Sequence, residues 1–465
     1  MYNPILQQDV EKLRSMLSDP SRVLIGTEIA EEYAHDELAS TRAMPEMVCK
    51  CLCTAEVAAV MQYANERRIP VTPRGAGTGL VGAAVPIHGG IVMDVSGMNR
   101  ILELDSNNLT ITVEPGVLLM TLGEYCAERG FFYPPDPGEK TATIGGNIST
   151  NAGGMRAVRY GVTRDYVRGL EVVLPDGKII EVGGKVVKNS SGYDLKDLFV
   201  GSEGTLGIVT RATLRLLALP KYDISLLVPF RSLAETIQAV PAIVRSDAQP
   251  TAVEFMQGEV IRDAENYLGS RFPCTSDSAY LLLKFDSMSR EELDRQYRSA
   301  SELCLSLGAQ DVYLLDTEER NDSVWKPRGA FLEAIKSSTT EMDEVDVVVP
   351  RDSINEMVSA LQGIAEKSGV RIKYFGHAGD GNLHIYILRD QLDAESWDRA
   401  CHEAMERMYA QAFSLGGQVS GEHGIGFAKR PYLFRSLAPE TLKLMQGIKA
   451  VFDPNNILNP GKVCQ

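Results

Sequence analysis

Residues 73–86 read PRGAGTGLVGAAVP and match the spacing GxGxxG at positions 77, 79 and 82. In a dinucleotide-binding βαβ unit, a helix begins at the third glycine and points its N-terminus at the diphosphate. Here the next residues include Pro86, Gly89 and Gly90, which a helix interior does not favour. The sequence therefore argues against a Rossmann-type nicotinamide site, although the loop's backbone N–H groups can still bind an anion.

Two later segments repeat this combination of glycine, hydroxyl and other small side chains. They are ATIGGNISTNAGGMRAVRYG at 142–161 and NSSGYDLKDLFVGSEGTLGIVT at 189–210. One such segment is explained equally well by tight turns. Three of them favour a long groove for an extended diphosphate cofactor.

Length and charge exclude several classes of protein. A chain of 465 residues predicts more than one domain. Its formal net charge of −15 argues against nucleic-acid binding, which needs a basic surface, and against adhesion to anionic membranes. No apolar run reaches the ~18 residues of a membrane-spanning helix, and the N-terminus lacks a signal-peptide pattern. We therefore expect a cytoplasmic protein without a membrane span.

Changes in residue pattern divide the chain. A largely helical segment precedes a βαβ-like unit that begins near residue 47, and short strands separated by glycine, proline and asparagine follow. Pro175-Asp176-Gly177 and Ser106-Asn107-Asn108 predict turns between these strands. Glycines become sparse after Pro220, where longer helical patterns alternate with strands, and they return near the C-terminus. The sequence predicts an α+β protein with domains at 1–219 and 220–410 and a C-terminal segment at 411–465.

A cysteine cluster, CKCLC at 49–53, does not match a familiar cofactor motif. Its alternation predicts Cys49, Cys51 and Cys53 on one face of a strand. The spacing fits neither a CxxC redox pair nor a usual zinc or iron–sulfur pattern. We interpret these residues as buried structural thiols.

Two histidines flank the tight turn in GHAGDGNLH at 376–384. Asp380-Gly381 is typical of a two-residue type I′ hairpin. That turn would place His377 directly opposite His384, with Cβ atoms about 4.5–5.5 Å apart. Both imidazoles could then reach one metal ion at about 2.0–2.1 Å.

A third metal ligand is available in SGEHGIG at 420–426, as either Glu422 or His423. The alternative interpretation is that the histidines only form hydrogen bonds near turns. From the residues alone, the hairpin and the second His/Glu motif together favour a metal site.

Six motifs occur in a fixed order: PRGAGTGL, PDPG followed by IGGNI and GG, GYDL followed by LFVGSEGTLGI, GHAGDGNLH, GEHG and NPGK. Through them, residues 45–463 resemble the FAD-linked oxidases of the vanillyl-alcohol oxidase superfamily. The more specific resemblance is to the branch with D-lactate dehydrogenase, the glycolate oxidase catalytic subunit and D-2-hydroxyglutarate dehydrogenase. It implies an FAD-binding domain at 1–219, an α/β cap domain at 220–410 and a C-terminal segment that completes the active site.

The resemblance also implies which residues hold FAD. Thr78 lies where some relatives carry a histidine that tethers the flavin, and no histidine or cysteine lies in that loop, so we expect non-covalent FAD. The residues implied are Pro73, Arg74, Gly75, Ala76, Gly77, Thr78, Gly79, Leu80, Pro137, Gly138, Thr143, Gly145, Gly146, Asn147, Gly153, Gly154, Glu203, Gly204, Gly207, Ile208 and Val209.

The resemblance further implies a metal site and assigns its ligands as His377, His384 and Glu422. Zinc is the expected ion, and iron or manganese would fit the same ligands. A metal at the substrate hydroxyl would stabilise the developing alkoxide.

Two more residues receive catalytic roles by the same resemblance, and a third is suggested by its place in the hairpin. His423 would take the hydroxyl proton. Arg328, in WKPRG, would bind the substrate carboxylate with its planar fork. Asn382, inside the hairpin, would offer a polar contact to the substrate.

One departure from the relatives bears on the substrate. They often carry lysine shortly before the strand DVVVP, whereas this chain has Met342, Asp343 and Glu344. Acidic residues there would repel a second substrate carboxylate, which favours a small monocarboxylate such as lactate or glycolate. We expect oxidation of D-lactate to the 2-oxo acid, with electrons passed to a protein such as an electron-transfer flavoprotein.

Several alternatives stay open at this point. The chain could be a glycolate or D-2-hydroxyglutarate dehydrogenase, or an ether-lipid synthase of the same superfamily. It could also be a non-catalytic flavin subunit that relays electrons, or a metal-dependent hydrolase. The intact GHAGDGNLH and GEHG motifs argue against a relay, and the three glycine segments argue against a hydrolase.

Overall fold

A computed structural model describes residues 2–38, 40–273 and 279–465. The chain forms two compact units. The first comprises residues 1–152, 162–218 and 422–465, and the second comprises residues 153–161 and 219–421. No helix among the described residues is long and apolar enough to cross a membrane.

Helices and strands are numbered along the whole chain. The helices are α1 (Gln7–Met16), α2 (Thr54–Arg67), α3 (Leu119–Ala127), α4 (Ile144–Thr150), α5 (Ala157–Tyr160), α6 (Thr163–Tyr166), α7 (Lys196–Phe199), α8 (Leu233–Arg245), α9 (Gly258–Leu268), α10 (Arg290–Ser306), α11 (Glu318–Gly329), α12 (Phe331–Ser337), α13 (Ile354–Ser368), α14 (Ala394–Ser414), α15 (Arg430–Ser436) and α16 (Pro439–Phe452). The strands are β1 (Val23–Ile25), β2 (Met47–Lys50), β3 (Val71–Arg74), β4 (Ile91–Asp94), β5 (Ile101–Asp105), β6 (Thr110–Val113), β7 (Phe131–Phe132), β8 (Val167–Val173), β9 (Ile179–Gly183), β10 (Ile208–Arg215), β11 (Leu217–Ala218), β12 (Tyr222–Phe230), β13 (Ala252–Gln257), β14 (Ala279–Ser287), β15 (Tyr313–Leu315), β16 (Met342–Val348), β17 (Arg371–His377) and β18 (Asn382–Leu388).

The first sheet of the first unit contains the expected βαβ element. Its order is β1-β2-β4-β3, with β2, β4 and β3 parallel and β1 antiparallel to β2. Helix α2 connects β2 to β3 and buries its apolar side, including Val57, Val60 and Met61, in the core of this sheet. A crossover through a helix is the usual way to join parallel strands.

Two local predictions for the N-terminal region are wrong. Within residues 2–38 and 40–45, α1 is the only α-helix, and short 3₁₀ turns flank β1. In the cysteine cluster, Cys49 and Cys51 are buried as expected, but Cys53 is exposed. Strand β2 ends at Lys50 and Cys53 is the N-cap of α2, so the alternation of a strand does not continue to it.

The second sheet of the first unit is antiparallel, in the order β5-β6-β10-β8-β9. The predicted turn at Pro175-Asp176-Gly177 joins β8 to β9, and Gly177 has a φ of +81° there. Strands β7 and β11 form a separate pair. The third glycine segment leads directly into the central strand β10.

The second unit is built on one seven-stranded antiparallel sheet, in the order β15-β12-β14-β13-β17-β18-β16. Helices α9, α11 and α12 cover one face and share an apolar core with side chains such as Met256, Leu282 and Phe375. Side chains alternate between the faces of a strand. Every second residue of β13, β17 and β18 therefore projects towards this group of helices, and the candidate site lies among them.

Candidate active site

The first glycine segment follows β3 in the first unit and is packed too closely for side chains. Gly77 has a φ of +78°, and a Cβ there would lie 2.0 Å from Nη2 of Arg74. A Cβ on Gly75 would lie 2.3 Å from Oγ1 of Thr143, in the second glycine segment. The positive φ favours glycine at position 77, and a side chain at position 75 would have to displace the side chain of Thr143.

The same loop presents backbone donors. Within the described part of the chain, the N–H groups of residues 76–80 donate to no acceptor. A cavity of about 380 Å³ adjoins the loop and is lined by Arg74, Gly75 and Gly77 together with Tyr33 and Asp94. A row of unused N–H groups beside open space is the chemistry that holds a diphosphate, so the residues fit FAD.

The other two glycine segments also meet near Pro73. In the second, residues 144–150 form α4 rather than an open loop, and Oγ1 of Thr143 accepts a hydrogen bond from the Gly146 N–H at 3.2 Å. In the third, Gly204 has a φ of +68° and a Cβ there would lie 2.6 Å from Cγ of Pro73. Thr143 and Gly204 thus converge on the start of the first loop.

Glu203 links this region to the C-terminal segment inside the first unit. Its side chain is buried, its φ is +52°, and its two carboxylate oxygens accept from the N–H groups of Ile425 and Gly426, both at 2.7 Å. Its backbone oxygen accepts from Nδ2 of Asn459 at 2.8 Å. Burial raises the pKa of Glu203 to about 7, although the two N–H donors and the nearby ammonium of Lys462 lower it.

The remaining residues implied for FAD lie in several elements. Gly207 packs its backbone against Val172, Ile208 begins β10 and Val209 follows it. Pro137 and Gly138 lie in the irregular segment before α4. Gly153 and Gly154 belong to the second unit.

The histidine hairpin of the second unit differs from the predicted register. His377 lies opposite Asn382 and His384 lies opposite Phe375, so four residues connect β17 to β18. The turn is not type I′, because Asp380 does not have a positive φ. Gly381 has a φ of +89°, and its N–H donates to the backbone oxygen of His377 at 3.1 Å.

The predicted direct pairing of the two histidines is therefore wrong, but both side chains do lie on one face of the sheet. A shift of two residues keeps both side chains on the same side of the sheet as diagonal neighbours. Their Nε2 atoms are 3.3 Å apart, and the ring planes are nearly perpendicular at 88°. Both side chains are buried, with 6% and 5% of the surface of His377 and His384 exposed.

A buried carboxylate from β13 joins this pair. Glu254 lies opposite His377 across the β13–β17 ladder, and its Oε1 is 2.7 Å from Nδ1 of His377. Its Oε2 accepts from Nε and Nη2 of Arg328, at 3.1 and 2.6 Å. His377 and Arg328 hold the pKa of Glu254 below its ordinary range despite the burial.

Arg328 is thus buried against the sheet rather than exposed on a helix face. It comes from α11, and its guanidinium lies over the ring of Phe375 at 4.6 Å from the centroid. The edge formed by Nε and Nη2 is occupied by Glu254, so a substrate carboxylate would have to use its other N–H groups.

Asn382 has partners within the protein. Its Nδ2 donates to Oδ1 of Asp346 at 2.6 Å and to the backbone oxygen of Val347 at 3.0 Å. Oδ2 of Asp346 accepts from Oγ of Ser420 at 2.7 Å and from the N–H of Gly421 at 3.1 Å. Asp346 therefore fixes the last residues of the second unit beside the strand that carries His384.

Glu422 and His423 begin the final segment of the first unit. Both side chains are largely buried, each 13% exposed, and Oε1 of Glu422 is 3.9 Å from Nε2 of His423. Glu422 directly follows Gly421, whose N–H is held by Asp346.

The acidic stretch before DVVVP forms the start of β16. Glu344 shares a face with His384, because Asp346 lies opposite His384 and Glu344 lies two residues before it. Its Oε1 is 3.5 Å from Nδ1 of His384. Asp343 projects to the other face of the sheet.

The sequence reasoning missed Glu254 and Asp346. Glu254 is the one carboxylate in the strand AVEFMQ, and Asp346 lies between valines in DEVDVVVP. A charge in a buried strand needs a partner, so this pattern was the available signal.

Comparisons with known proteins agree with this architecture. Residues 45–183 match the family described as FAD binding domain, and residues 219–463 match FAD linked oxidases, C-terminal domain. A D-lactate dehydrogenase of Anaerostipes hadrus is 47% identical over 469 residues, covering 100% of this chain and 98% of that protein. The glycolate oxidase subunit GlcD of Bacillus subtilis is 40% identical and covers 93% of this chain and 91% of its own.

A solved structure shows the same fold. Crystalline p-cresol methylhydroxylase with substrate bound superposes with a TM-score of 0.82 at 20% identity, covering 99% of this chain and 98% of the other. The α+β, two-domain FAD-binding fold of the vanillyl-alcohol oxidase type, expected from the sequence, is thereby confirmed.

Fold, glycine loops and family matches together define a flavin-dependent oxidoreductase. The chain belongs to the FAD-linked oxidases, in the group with proteins named D-lactate dehydrogenase and glycolate oxidase subunit.

Proposed function

We propose that this enzyme oxidises a D-2-hydroxy acid, with D-lactate as the preferred substrate, to the 2-oxo acid. The observation that carries the proposal is the buried pair of histidines, His377 and His384, joined to Glu254 and Arg328 in an FAD-linked oxidase. The 47% identical relative named D-lactate dehydrogenase supports the choice of substrate.

The histidine pair fits a divalent metal. Two ligands at about 2.0–2.1 Å in tetrahedral geometry lie about 3.3 Å apart, and the Nε2 atoms are separated by 3.3 Å. An ionised Glu254 can only accept, so Nδ1 of His377 donates to it and Nε2 keeps its lone pair for a metal. We propose His377, His384 and Glu422 as ligands of zinc, with iron or manganese as alternatives.

In the proposed reaction, FAD held by the glycine segments would supply the hydride acceptor, and a metal held by His377, His384 and Glu422 would supply Lewis-acid stabilisation at the substrate hydroxyl. His423 takes the hydroxyl proton. The N–H groups of Arg328 that Glu254 does not use bind the substrate carboxylate. Asn382 orients the polar end of the substrate through its side chain, which Asp346 holds in place.

Glu344 supports a monocarboxylate substrate. Its carboxylate lies on the histidine face, 3.5 Å from His384, where a second substrate carboxylate would meet a like charge. Glycolate is the second candidate, and D-2-hydroxyglutarate is disfavoured for this reason. A flavin subunit that only relays electrons would have no need of this ligand pair.

We also propose that FAD is bound non-covalently, because Thr78 and its loop neighbours offer no histidine or cysteine for a bond to the flavin. Electrons would pass to a protein acceptor of the electron-transfer flavoprotein type, in the cytoplasm.

Anaerobic reduction of the bound flavin tests this function. Addition of D-lactate should bleach the flavin absorbance near its visible maximum, and L-lactate should not. Glycolate and D-2-hydroxyglutarate serve as comparison substrates. The His384→Ala variant should retain FAD but lose the bleaching. Flavin that no D-2-hydroxy acid reduces would contradict the proposal, and full activity in His384→Ala would contradict the metal assignment.

A further inference from the structure

Glu254 occupies a position at which a carboxylate is costly. It lies in the middle of β13, between β14 and β17 in a seven-stranded sheet, and its side chain is fully buried. An ionised carboxylate in such a place costs several kcal/mol unless charged donors compensate it. An apolar residue would suit the strand better, so Glu254 calls for an explanation beyond folding.

Its contacts provide one, because the two carboxylate oxygens serve different partners. Oε1 is 2.7 Å from Nδ1 of His377, while Oε2 accepts both donors of one guanidinium edge of Arg328. These partners come from different elements, β17 and α11, and neither is next to Glu254 in the chain. The carboxylate is thus a bridge between an imidazole and a guanidinium.

We propose that Glu254 is a positioning residue that holds His377 and Arg328 in their working orientations, one for the metal and one for the substrate carboxylate. This inference rests on the proposed function of the same site. Acceptance from Nδ1 fixes the tautomer of His377 and directs its Nε2 towards Nε2 of His384. The second oxygen fixes the plane of the guanidinium and leaves its remaining N–H groups for the substrate.

Metal binding through His377 and substrate binding through Arg328 would therefore both depend on the carboxylate of Glu254. A carboxylate that accepts from a ligating histidine increases the basicity of that ligand, and its loss typically weakens metal binding about 10- to 100-fold. Loss of Glu254 should also release Arg328, which raises the KM for D-lactate. A residue with a purely structural role would not change metal affinity and KM together while the protein stays folded.

The test compares metal affinity in variants of the full-length, FAD-loaded protein. Zinc is removed by dialysis against a chelator, and the dissociation constant of added Zn²⁺ is measured by competition with a chromophoric chelator. In Glu254→Gln we expect the dissociation constant to rise about 10- to 100-fold. The matched control is Glu56→Gln, which removes another buried carboxylate paired with an arginine, Arg22, in the first unit. It should leave metal affinity and KM unchanged.

The outcomes separate this inference from the proposed function. If His384→Ala loses the metal but Glu254→Gln binds Zn²⁺ as tightly as the wild type, Glu254 has no positioning role and the metal site stands. If His384→Ala also binds Zn²⁺ normally, the proposed metal site itself is wrong. Flavin absorbance and circular dichroism show whether each variant is folded. Arg328→Lys changes the direct partner of Glu254 and shows how far KM rises when the guanidinium is lost while Glu254 is kept.

Discussion

At the scale of single residues, the sequence identified the types of residue in the site better than their contacts. His377, His384 and Arg328 were identified from motifs, and all three lie in one buried polar group of the second unit. Their connection through Glu254 was not visible, because it depends on which residues of β13 and β17 face each other. Pairing between strands distant in sequence leaves little trace in a single sequence.

Glu344 gives a prediction about specificity. Removal of its charge in Glu344→Gln should raise kcat/KM for D-2-hydroxyglutarate relative to D-lactate, by about tenfold, because a like charge near the second carboxylate is lost. The ratio of the two kcat/KM values is the measurement.

Asp343→Asn is the matched control for this variant. It removes the same charge one residue earlier, on the opposite face of β16. An unchanged ratio in Glu344→Gln, or an equal rise in both variants, would show that Glu344 does not select the substrate.

At the scale of elements, hydrophobic periodicity and turn-forming residues predicted the secondary structure correctly where a segment folds locally. The βαβ unit at β2, α2 and β3 was predicted correctly, as was the turn between β8 and β9. The hairpin between β17 and β18 was not, although Asp380-Gly381 has a strong local preference for a two-residue turn. Contacts outside the hairpin decide its geometry: the Gly379 N–H donates to the oxygen of Val253, and Gly381 packs against the backbone of Val349.

Gly381 therefore provides a test of the turn. Its φ is +89°, and an alanine Cβ would lie 2.0 Å from the backbone oxygen of Val349. Gly381→Ala should lower the free energy of unfolding by about 1–3 kcal/mol or more, because both the backbone strain and the clash must be relieved. The midpoint of urea unfolding is the measurement.

Gly363→Ala is the control for that test. Gly363 lies inside α13, and a Cβ there meets nothing within 4 Å. The same substitution should stabilise the protein by about 0.5–1 kcal/mol, because alanine favours a helix interior. A stable Gly381→Ala would mean that the turn does not require a positive φ at this position and that the backbone of Val349 can move away from the added Cβ.

At the scale of the whole molecule, the fold was predictable because six motifs are spread over residues 73–462, and the family matches cover residues 45–183 and 219–463. The sequence alone did not predict which contacts hold the C-terminal segment. The C-terminal segment 422–465 joins the first unit through Glu203, with Asn459 and Lys449 as further buried contacts. A glutamate between glycine-rich residues carries no local sign of such a role.

Glu203 makes the stability of the first unit depend on pH. Its pKa is about 7 in the folded protein against an ordinary 4.5, so the folded state binds the proton more tightly than the unfolded state. The stability that it contributes is complete below about pH 4.5 and is lost as the pH rises through about 7. The difference of roughly 2.5 pKa units corresponds to about 3 kcal/mol.

Glu203→Gln removes this titratable group, so the difference in stability between the variant and the wild type should depend on pH. At pH 5 the variant should be less stable than the wild type, since an amide cannot accept from both N–H groups of Ile425 and Gly426. At pH 8 that deficit should shrink by about 2–3 kcal/mol, because the wild type has by then lost its proton. Urea unfolding followed by circular dichroism at both pH values measures the difference.

Glu56→Gln is the control for this prediction. The pKa of Glu56 is lowered to about 2, so the loss of stability in Glu56→Gln should be the same at both pH values. A deficit in Glu203→Gln that stays constant, or that grows with pH, would show that Glu203 is ionised throughout and that its two N–H donors outweigh its burial.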